Sequence, residues 1–407
     1  MTIWTTFFWL HLTAGLVAGV LVFIMSITGV ALTYERQLIK WSDREFKSTP
    51  NSSATRMPLD RLVAEFRRQQ PDSEPTGVTV ASDALEPVAV SLGQRTVYVD
   101  AYSGLVLGTA NQGVRRALSQ LRAWHRWLAV EGPGRPVARA VTGWANVLFL
   151  FMVASGIYLW FPRRWSWQSV RAVAWFKTGL RGKARDFNWH NAIGIWSAVP
   201  LFIIVASAVP ISFPWGNNLV YRLVGEEPPA PRAGARGGAA PDGRERGEGQ
   251  RAEGRGRGQG RPARAEASLD GLSALLARAE QQEPDWRTIN LRLPGSGDAP
   301  VVLAIDRGDG GQPQLRSTLT LSRAGEVVSY ESFASQSTGR RIRSVMRFAH
   351  TGEVLGFIGQ TVAGLVSAGA VVLVWTGMAL AGRRFQAWTK RRRGQELEAL
   401  SARSPAA

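Results

Sequence analysis

Cysteine is absent from this chain of 407 residues, and histidine is nearly absent, with four residues in all. Without thiols the protein cannot form disulfides, thiolate zinc sites, iron–sulfur clusters or a haem attached through thioether bonds. The missing cysteines do not indicate a redox compartment, because a cysteine-free chain is compatible with either side of a membrane. The four histidines are therefore the main candidates for metal ligation.

Charged side chains are missing from long parts of the sequence, although the formal net charge is +18. Four mostly apolar stretches contain no Asp, Glu, Lys or Arg: residues 1–34, 140–162, 187–221 and 354–382. About 20 apolar residues cross the hydrocarbon core of a bilayer, so each stretch is long enough for one transmembrane helix. In a soluble protein this net charge would favour nucleic acid as the partner. Here the four spans predict a lipid bilayer instead, and no nucleic acid.

The basic excess lies in short segments next to the spans. Residues 163–190 hold seven basic side chains and one acid, and residues 383–407 hold seven and two, which gives +6 and +5. Positive charge in short flanks marks the cytoplasmic side, so both termini are predicted to be cytoplasmic. The first stretch has no basic residue before it and is too long for a signal-peptide core, which predicts a retained span.

Two outward-facing segments each have the pattern of a small α+β domain. In the first, helical spacing at 59–66 precedes strand-like runs at 76–80, 88–92 and 96–99. In the second, a helical run at 269–279 precedes strand-like runs at 289–293, 301–305 and 317–321. Between the third span and the second helix, residues 229–266 combine nine Arg and five acids with Gly, Ala and Pro, which predicts a disordered insertion.

The predicted fold class is a membrane protein, mainly α, with four transmembrane helices and two small outer α+β domains. We expect the first span at 1–34, the first outer domain at 35–124, and an interfacial segment with the second span at 125–163. A basic cytoplasmic loop at 164–188 leads to the third span at 189–214. The second outer domain follows at 215–349, the fourth span at 350–382 and a cytoplasmic tail at 383–407.

The sequence also predicts an internal duplication. The segments that end at His125 and His350 share the pattern R-R-x-x-S-x-[LM]-R-x-x-H without a gap. His11 and His190 each open a span with H-x-x-x-G. Related residues of two copies approach each other near a pseudo-two-fold axis. We therefore expect one pair of imidazoles, His11 with His190, on the cytoplasmic side and another, His125 with His350, on the outer side.

Paired imidazoles on facing helices can supply both axial ligands of a haem iron. Gly15 and Gly194, one turn from the cytoplasmic pair, would leave room for the flat macrocycle. Arg122 and Arg347, three residues before the outer histidines, lie on the same helix face and suit haem propionates, because a guanidinium binds a carboxylate through two hydrogen bonds. One haem in each leaflet would form an electron path across the bilayer.

Other interpretations of the same residues stay open. A histidine at a membrane interface often serves only as a polar group that reaches the headgroups. The arginines can contact lipid phosphate, and Trp124, Trp127, Trp165, Trp167 and Trp189 are typical of an aromatic belt. A di-metal transport site is disfavoured, because no Asp, Glu or Cys accompanies the histidines in these motifs.

Several motifs in order resemble the PepSY-associated transmembrane family. They are His125-Arg-Trp-Leu, Gly132-Pro-Gly-Arg-Pro136, Ala154-Ser-Gly-Ile-Tyr-Leu-Trp-Phe-Pro-Arg-Arg164, Trp189-His190 and His350-Thr-Gly-Glu. The resemblance covers nearly the whole chain apart from the insertion. It implies that the outer domains are periplasmic PepSY-like modules and that the membrane is the bacterial inner membrane. Carried over by position, His11, His125, His190 and His350 would ligate two b-type haems.

The resemblance to the ferric-siderophore reductase type within this family implies a function. Electrons from an unknown donor, a cytoplasmic reductase or a quinol, would pass through the inner and outer haems to a periplasmic ferric siderophore and release Fe(II). The alternative is a non-enzymatic membrane protein whose PepSY modules bind a peptide or a protease. No catalytic residue and no siderophore class is predicted.

Overall fold

Four long apolar helices dominate the computed structural model, which describes residues 2–50, 55–161, 166–229, 271–293 and 299–403, with side chains up to residue 395. Within these ranges, four helices are long and apolar enough to cross a membrane. The chain is therefore a multi-pass membrane protein, as its charge-free stretches predict. Residues 230–266 of the predicted insertion lie outside the described residues.

The elements alternate between long spans and short connecting units. The helices are α1 (Ile3–Leu32), α2 (Glu35–Ser42), α3 (Leu59–Gln69), α4 (Gln112–Trp127), α5 (Arg135–Trp160), α6 (Trp167–Ala174), α7 (Gly182–Ser212), α8 (Pro214–Leu223), α9 (Leu272–Gln282), α10 (Thr338–His350) and α11 (Gly356–Arg403). The strands are β1 (Gly77–Ala81), β2 (Val88–Leu92), β3 (Arg95–Val99), β4 (Val106–Thr109), β5 (Thr288–Arg292), β6 (Val301–Asp306), β7 (Arg316–Leu321) and β8 (Val327–Ser332).

The spans α1, α5, α7 and α11 form a four-helix bundle. Both α1 and α7 pack against α5 and against α11, so α1 lies diagonally opposite α7. Small residues allow close approach: a Cβ at Gly19 would lie 3.4 Å from the sulfur of Met378. Asn146 donates a buried hydrogen bond of 3.0 Å to the carbonyl of Val205, which ties α5 to α7. We call the end of the bundle where α1 begins the tail side, and the opposite end the sheet side.

The strands of the described residues form one antiparallel sheet of eight strands in the order β4-β3-β2-β1-β5-β6-β7-β8. The first four strands follow α3 and the last four follow α9, so each half contributes one helix and four strands. Strand β1 pairs with β5 from Gly77 opposite Arg292 to Ala81 opposite Thr288. The predicted division into two separate small domains therefore differs from the structure, in which the halves share one sheet.

One apolar core also joins the two halves. Phe66 of α3, Leu275 of α9 and alternate residues of both sets of strands are fully buried together. The Asp60 carboxylate accepts a 2.6 Å hydrogen bond from the backbone N–H of Leu272, so α3 caps the first turn of α9. Neither half buries its apolar face alone, and this is why the sheet closes across β1 and β5.

Two span boundaries differ from the predicted ones. Helix α7 begins at Gly182, before the predicted start at 189, and α11 continues to Arg403, beyond the predicted end at 382. Lys183 in the first turn of α7 and Lys390 in α11 are exposed and reach water on long side chains, so loss of apolar character does not end the helix. Strands β4 and β8, at the two edges of the sheet, are additional to the predicted strands.

Candidate metal centres formed by two histidine pairs

In the first half of the chain, two histidines each form a hydrogen bond to a neighbouring span. His11 of α1 makes a 2.9 Å hydrogen bond through Nδ1 to Oγ of Ser155 on α5. His125, near the end of α4, points back to α1, where its Nδ1 lies 2.9 Å from the carbonyl oxygen of Met25 and 3.1 Å from Oγ1 of Thr28. His11 lies in α1 and is held by α5, whereas His125 precedes α5 and is held by α1.

The second half repeats this arrangement. His190 of α7 contacts Oγ1 of Thr376 on α11 at 3.0 Å through Nδ1. His350, the last residue of α10, lies 2.8 Å through Nδ1 from the carbonyl oxygen of Ile204 on α7. All four rings therefore make their polar contact through Nδ1 to the backbone or a hydroxyl of a facing helix.

These contacts decide which ring nitrogen carries the hydrogen. Carbonyl oxygens only accept, so Nδ1 of His125 and of His350 must donate. The hydroxyls of Ser155 and Thr376 lie 3.3 Å and 2.8 Å from carbonyl oxygens of their own helices, which can take their hydrogens and leave the hydroxyl oxygens to accept from His11 and His190. In a neutral imidazole with hydrogen on Nδ1, Nε2 keeps its lone pair for a metal.

Small residues lie against the rings, and sequence reasoning missed them. A Cβ at Gly29 or Gly156 would lie 3.5 Å from Cε1 of His125 or His11, and one at Gly377 would lie 3.3 Å from Cε1 of His190. Each glycine directly follows the hydroxyl residue that contacts the same ring, in Thr28-Gly29, Ser155-Gly156 and Thr376-Gly377. The dipeptide is a weak sequence signal, because Thr142-Gly143 of α5 has the same form, and its glycine lies against Phe213 instead of a histidine.

The histidines form two pairs across the halves of the bundle. The ring centres of His125 and His350 are 6.1 Å apart, with the ring planes at 54°. His11 and His190 each lie near the first turns of a span, α1 and α7, at the same end of the bundle. The first pair is on the sheet side and the second is on the tail side.

The sheet-side geometry suits a single metal between two rings. Metal–imidazole bonds are about 2 Å long, which places the centres of two imidazoles on opposite sides of one metal roughly 6 Å apart. Among the described residues, no group of three or more His, Asp or Glu side chains could hold a metal ion. Two neutral nitrogen ligands without a carboxylate fit an iron that takes its other ligands from a porphyrin better than a bare divalent ion.

The predicted propionate partners already contact protein groups. Nη1 of Arg122 lies 2.7 Å from Oε1 of Glu35, and the guanidinium of Arg347 lies 5.4 Å from the ring centre of Phe348. Their role toward a haem stays a prediction. A Cβ at the predicted spacers Gly15 and Gly194 would lie 3.4 Å from Sδ of Met152 and 3.7 Å from Cδ2 of Leu373.

A cationic aromatic surface lies beside the sheet-side pair. Trp124, next to His125, is exposed. The guanidinium carbons of Arg126 and Arg135 lie 5.0 Å and 3.8 Å from the ring centre of Trp127. Such cation–π contacts hold the guanidinium groups over the face of the indole ring. The chain then reverses into α5 at Leu128, whose φ of 54° is left-handed.

A comparison with curated proteins finds no match to this sequence. The family model of the PepSY-associated TM region matches residues 8–384, which include all four histidines, the whole sheet and the greater part of every span. A match over nearly the whole length accounts for the bundle and the sheet together. The chain belongs to the PepSY-associated transmembrane family.

Proposed function

We propose that this protein is a di-haem electron-transfer protein that reduces a ferric siderophore on the sheet side of the membrane. The observation that carries the proposal is the set of four imidazoles, each with Nδ1 directed to a facing helix and Nε2 left for a metal. Their division into a tail-side and a sheet-side pair supports two b-type haems, one held by His11 and His190 and the other by His125 and His350. A bound haem supplies one-electron chemistry.

The residues of the chain hold and orient this path. The Nδ1 contacts fix the ring planes and leave Nε2 for a metal, since outer contacts of this kind orient metal-bound histidines. The bundle keeps the two pairs at different depths, because His11 lies near the start of α1 whereas the contacts of His125 lie near its end. Electrons would therefore cross the bilayer from the tail side to the sheet side.

The surface around Trp127 supports an anionic chelate as the substrate. Arg126 and Arg135 place positive charge on the half-buried ring of Trp127, in the same segment as His125 and the exposed Trp124. Reduction of the chelated iron weakens its binding to the siderophore, because hard oxygen chelators hold Fe(III) far more tightly than Fe(II). The released Fe(II) would then be available for uptake.

We place the protein in the bacterial inner membrane with both termini in the cytoplasm. The basic residues near the tail side, in the segment before α7 and at the end of α11, support this orientation. The sheet would then face the periplasm, where ferric siderophores arrive. If the purified chain contains no haem, the alternative role is favoured, in which the protein binds a peptide without haem.

The first test is the absorption spectrum of the purified full chain, oxidised and reduced, with haem quantified per chain. We expect low-spin b-type spectra and about two haems per chain. Oxidation of the reduced protein by a ferric siderophore, followed by stopped flow, then tests the reaction. Absence of haem after expression with adequate haem supply would contradict the proposal.

Variants in the histidine pairs separate the two sites. His125→Ala should leave about one haem per chain, and His11→Ala should leave the other one, because each variant disrupts one pair. Added imidazole should restore the missing spectrum if the rest of the site is intact. Loss of both haems, or of neither, in a folded variant would overturn the pairing.

A further inference from the structure

Helix α8 exposes an apolar stripe directly after the third span. Trp215, Leu219 and Leu223 recur at every fourth position, so they lie along one side of the helix. They are 48%, 47% and 76% exposed. The opposite side, with Val220 and Tyr221, is buried. The stripe is therefore open to whatever surrounds the bundle at this level.

The chain turns where the span ends. Phe213 has extended backbone angles, with φ −124° and ψ 134°, and Pro214 occupies the first position of α8. A Cβ at Gly216 would lie only 3.0 Å from the carbonyl oxygen of Val209, in the last turn of α7. The first turn of α8 therefore packs back against the end of α7, which keeps α8 at the level where the span ends.

Aromatic rings place the start of α8 at bilayer depth. The ring centre of Phe213 lies 5.3 Å from that of Trp144 and 5.4 Å from that of Trp215. Trp144 follows Arg135, the first residue of α5, by nine residues, or about 13 Å of helix. It is 56% exposed on one of the four spans. Exposed tryptophans near a span end are typical of the membrane–water boundary, so the stripe of α8 continues the lipid-facing surface of the spans.

The buried side of α8 runs antiparallel along α10. Oδ1 of Asn217 accepts a 2.5 Å hydrogen bond from Nε of Arg343. One turn further along α8, a Cβ at Gly339 would lie 2.5 Å from Cδ1 of Tyr221, so the ring lies directly against the backbone of α10. Just past the end of α8, Glu226 accepts a 3.0 Å hydrogen bond from the N–H of Gly339. Helix α8 therefore lies between α10 and the surroundings of the bundle.

Helix α2, which also follows a span, has a different environment. It exposes Leu38 and Trp41, at 40% and 61%, but Lys40 lies between them and forms a 2.7 Å ion pair with Glu86, in the loop from β1 to β2. The guanidinium of Arg44 lies 4.2 Å from the ring centre of Trp41. The exposed side of α2 is therefore charged and linked to the sheet, whereas the stripe of α8 is apolar and continuous with the spans.

We propose that α8 is an interfacial helix that inserts Trp215, Leu219 and Leu223 among the phospholipid acyl chains of the sheet-side leaflet and thereby holds α10 in place. An amphipathic helix binds the boundary between headgroups and acyl chains through its apolar face. The exposed Arg222, beside the stripe, reaches headgroup phosphates on its long side chain. Since α10 ends at His350, the contact of α8 with lipid supports the sheet-side histidine pair through one helix.

Nitroxide labels on single cysteines measure the depth of α8, because the chain contains no cysteine of its own. Leu223→Cys and Lys40→Cys are matched positions, since Leu223 is 76% exposed and the Lys40 side chain 77% exposed. In the full chain in phospholipid nanodiscs, oxygen should relax the label at 223 severalfold more than a water-soluble nickel chelate does. The order should be reversed at 40. Equal access of the nickel chelate to both labels would overturn the proposal.

A second copy of the chain is the other occupant that an apolar stripe could bind. In proteoliposomes, where copies can meet, the spectrum of the label at 223 should be the same with and without an excess of unlabelled protein. Spin–spin broadening that disappears on this dilution would show a contact between copies and overturn the assignment to lipid.

A charge in the stripe tests the support of α10. With a label at Ile342→Cys, a 37% exposed position of α10, Leu219→Glu should make the label more mobile, because a carboxylate is expelled from acyl chains. The matched control Leu105→Glu, 58% exposed just before β4, should leave the spectrum unchanged. An unchanged spectrum in Leu219→Glu, or equal loosening in both variants, would overturn the role of lipid in holding α10. None of these measurements uses haem, so their outcome is independent of the proposed function.

Discussion

Each histidine ring is held on one edge by a hydrogen-bond acceptor and, in three of the four, on the other by a glycine of a neighbouring span. The Nδ1 contact orients the ring, and the absent side chain lets the ring approach the helix closely. At Gly377 the fit is tightest, with 3.3 Å between the position of a Cβ and Cε1 of His190. A Cβ there requires the ring to shift by a few tenths of an ångström, and a branched side chain requires a larger shift.

Gly377→Val should therefore remove the tail-side haem and leave the sheet-side one. We expect haem content to fall from about two to about one per chain, since the loss of ring orientation costs roughly tenfold or more in metal affinity. Gly377→Ala should give an intermediate loss. Haem quantification and reduced-minus-oxidised spectra measure both.

Gly382→Val is the matched control, because a Cβ at Gly382 of the same helix meets no atom within 4 Å. It should retain both haems. Full haem content in Gly377→Val would contradict the role of this glycine, and so would the same loss in both variants.

The sequence predicts the four rings but not the groups that hold them. His125 and His350 were found because eleven-residue motifs repeat around them, and His11 and His190 because each opens an uncharged span. Thr28, Ser155 and Thr376 could not be found in this way. A hydroxyl inside an apolar helix normally bonds to its own backbone, as Thr376 does to the carbonyl of Val372, and only the packed structure shows its second contact.

At the scale of elements, the helices α4 and α10 connect the sheet to the sheet-side histidines, so the sheet fixes where these histidines lie. A carboxylate from the segment after the preceding span anchors the start of each helix. Asp43 accepts a 2.8 Å hydrogen bond from the N–H of Asn111 and forms a 2.7 Å ion pair with Arg115. Glu226 accepts from the hydroxyl of Ser337 and from the N–H of Gly339, at 2.7 Å and 3.0 Å. Acidic groups at helix N-termini are stabilising.

Asp43 also accepts a 3.0 Å hydrogen bond from the hydroxyl of Tyr98 in β3. Burial, together with the Asp43 carboxylate, raises the pKa of Tyr98 to about 12. Because the pKa is raised in the folded state, its contribution to stability is complete below the ordinary pKa of about 10 and is lost as the pH rises toward 12. The contact links the sheet, α2 and α4 at one point.

Tyr98→Phe should lower stability at neutral pH by about 1–3 kcal/mol, because Asp43 loses a donor. The difference in unfolding temperature between the wild type and Tyr98→Phe should shrink as the pH rises from 10 to 12. Absorbance titration of the tyrosinates should show one fewer late-titrating group in the variant. A difference that is independent of pH would contradict the contact.

Strand positions were predictable where apolar residues alternate, as in β2, whose bounds Val88–Leu92 match the prediction. Strands β4 and β8 lie at the edges and bury no residue fully, so their sequences lack that alternation. The pairing of β1 with β5 joins segments about two hundred residues apart, and local periodicity contains no information on partners at that distance.

The molecule as a whole joins a membrane bundle to a sheet through polar contacts at one end. Arg36 of α2 forms a 2.6 Å ion pair with Glu353, just before α11, and donates a 2.9 Å hydrogen bond to the carbonyl of Asp309 in the sheet half. Gln37 donates to Gln360 of α11 at 2.7 Å. These contacts fix the sheet above the His125–His350 pair, so that both belong to the same side of the membrane.

The sidedness of the whole molecule can be tested with single cysteines, because the chain contains none of its own. Gln94 lies exposed between β2 and β3, and Thr178 lies exposed before α7. With the sheet in the periplasm, a membrane-impermeant maleimide should label Gln94→Cys in intact spheroplasts. Thr178→Cys should react only after lysis, since positively charged flanks stay in the cytoplasm.

The unsubstituted protein should remain unlabelled under both conditions and gives the background. Labelling of Thr178→Cys in intact spheroplasts, with Gln94→Cys protected until lysis, would reverse the orientation. The His11–His190 pair would then lie on the periplasmic side and the His125–His350 pair on the cytoplasmic side. That result would exclude reduction of a periplasmic siderophore at the sheet side, whereas the expected pattern places the surface around Trp127 where such a substrate arrives.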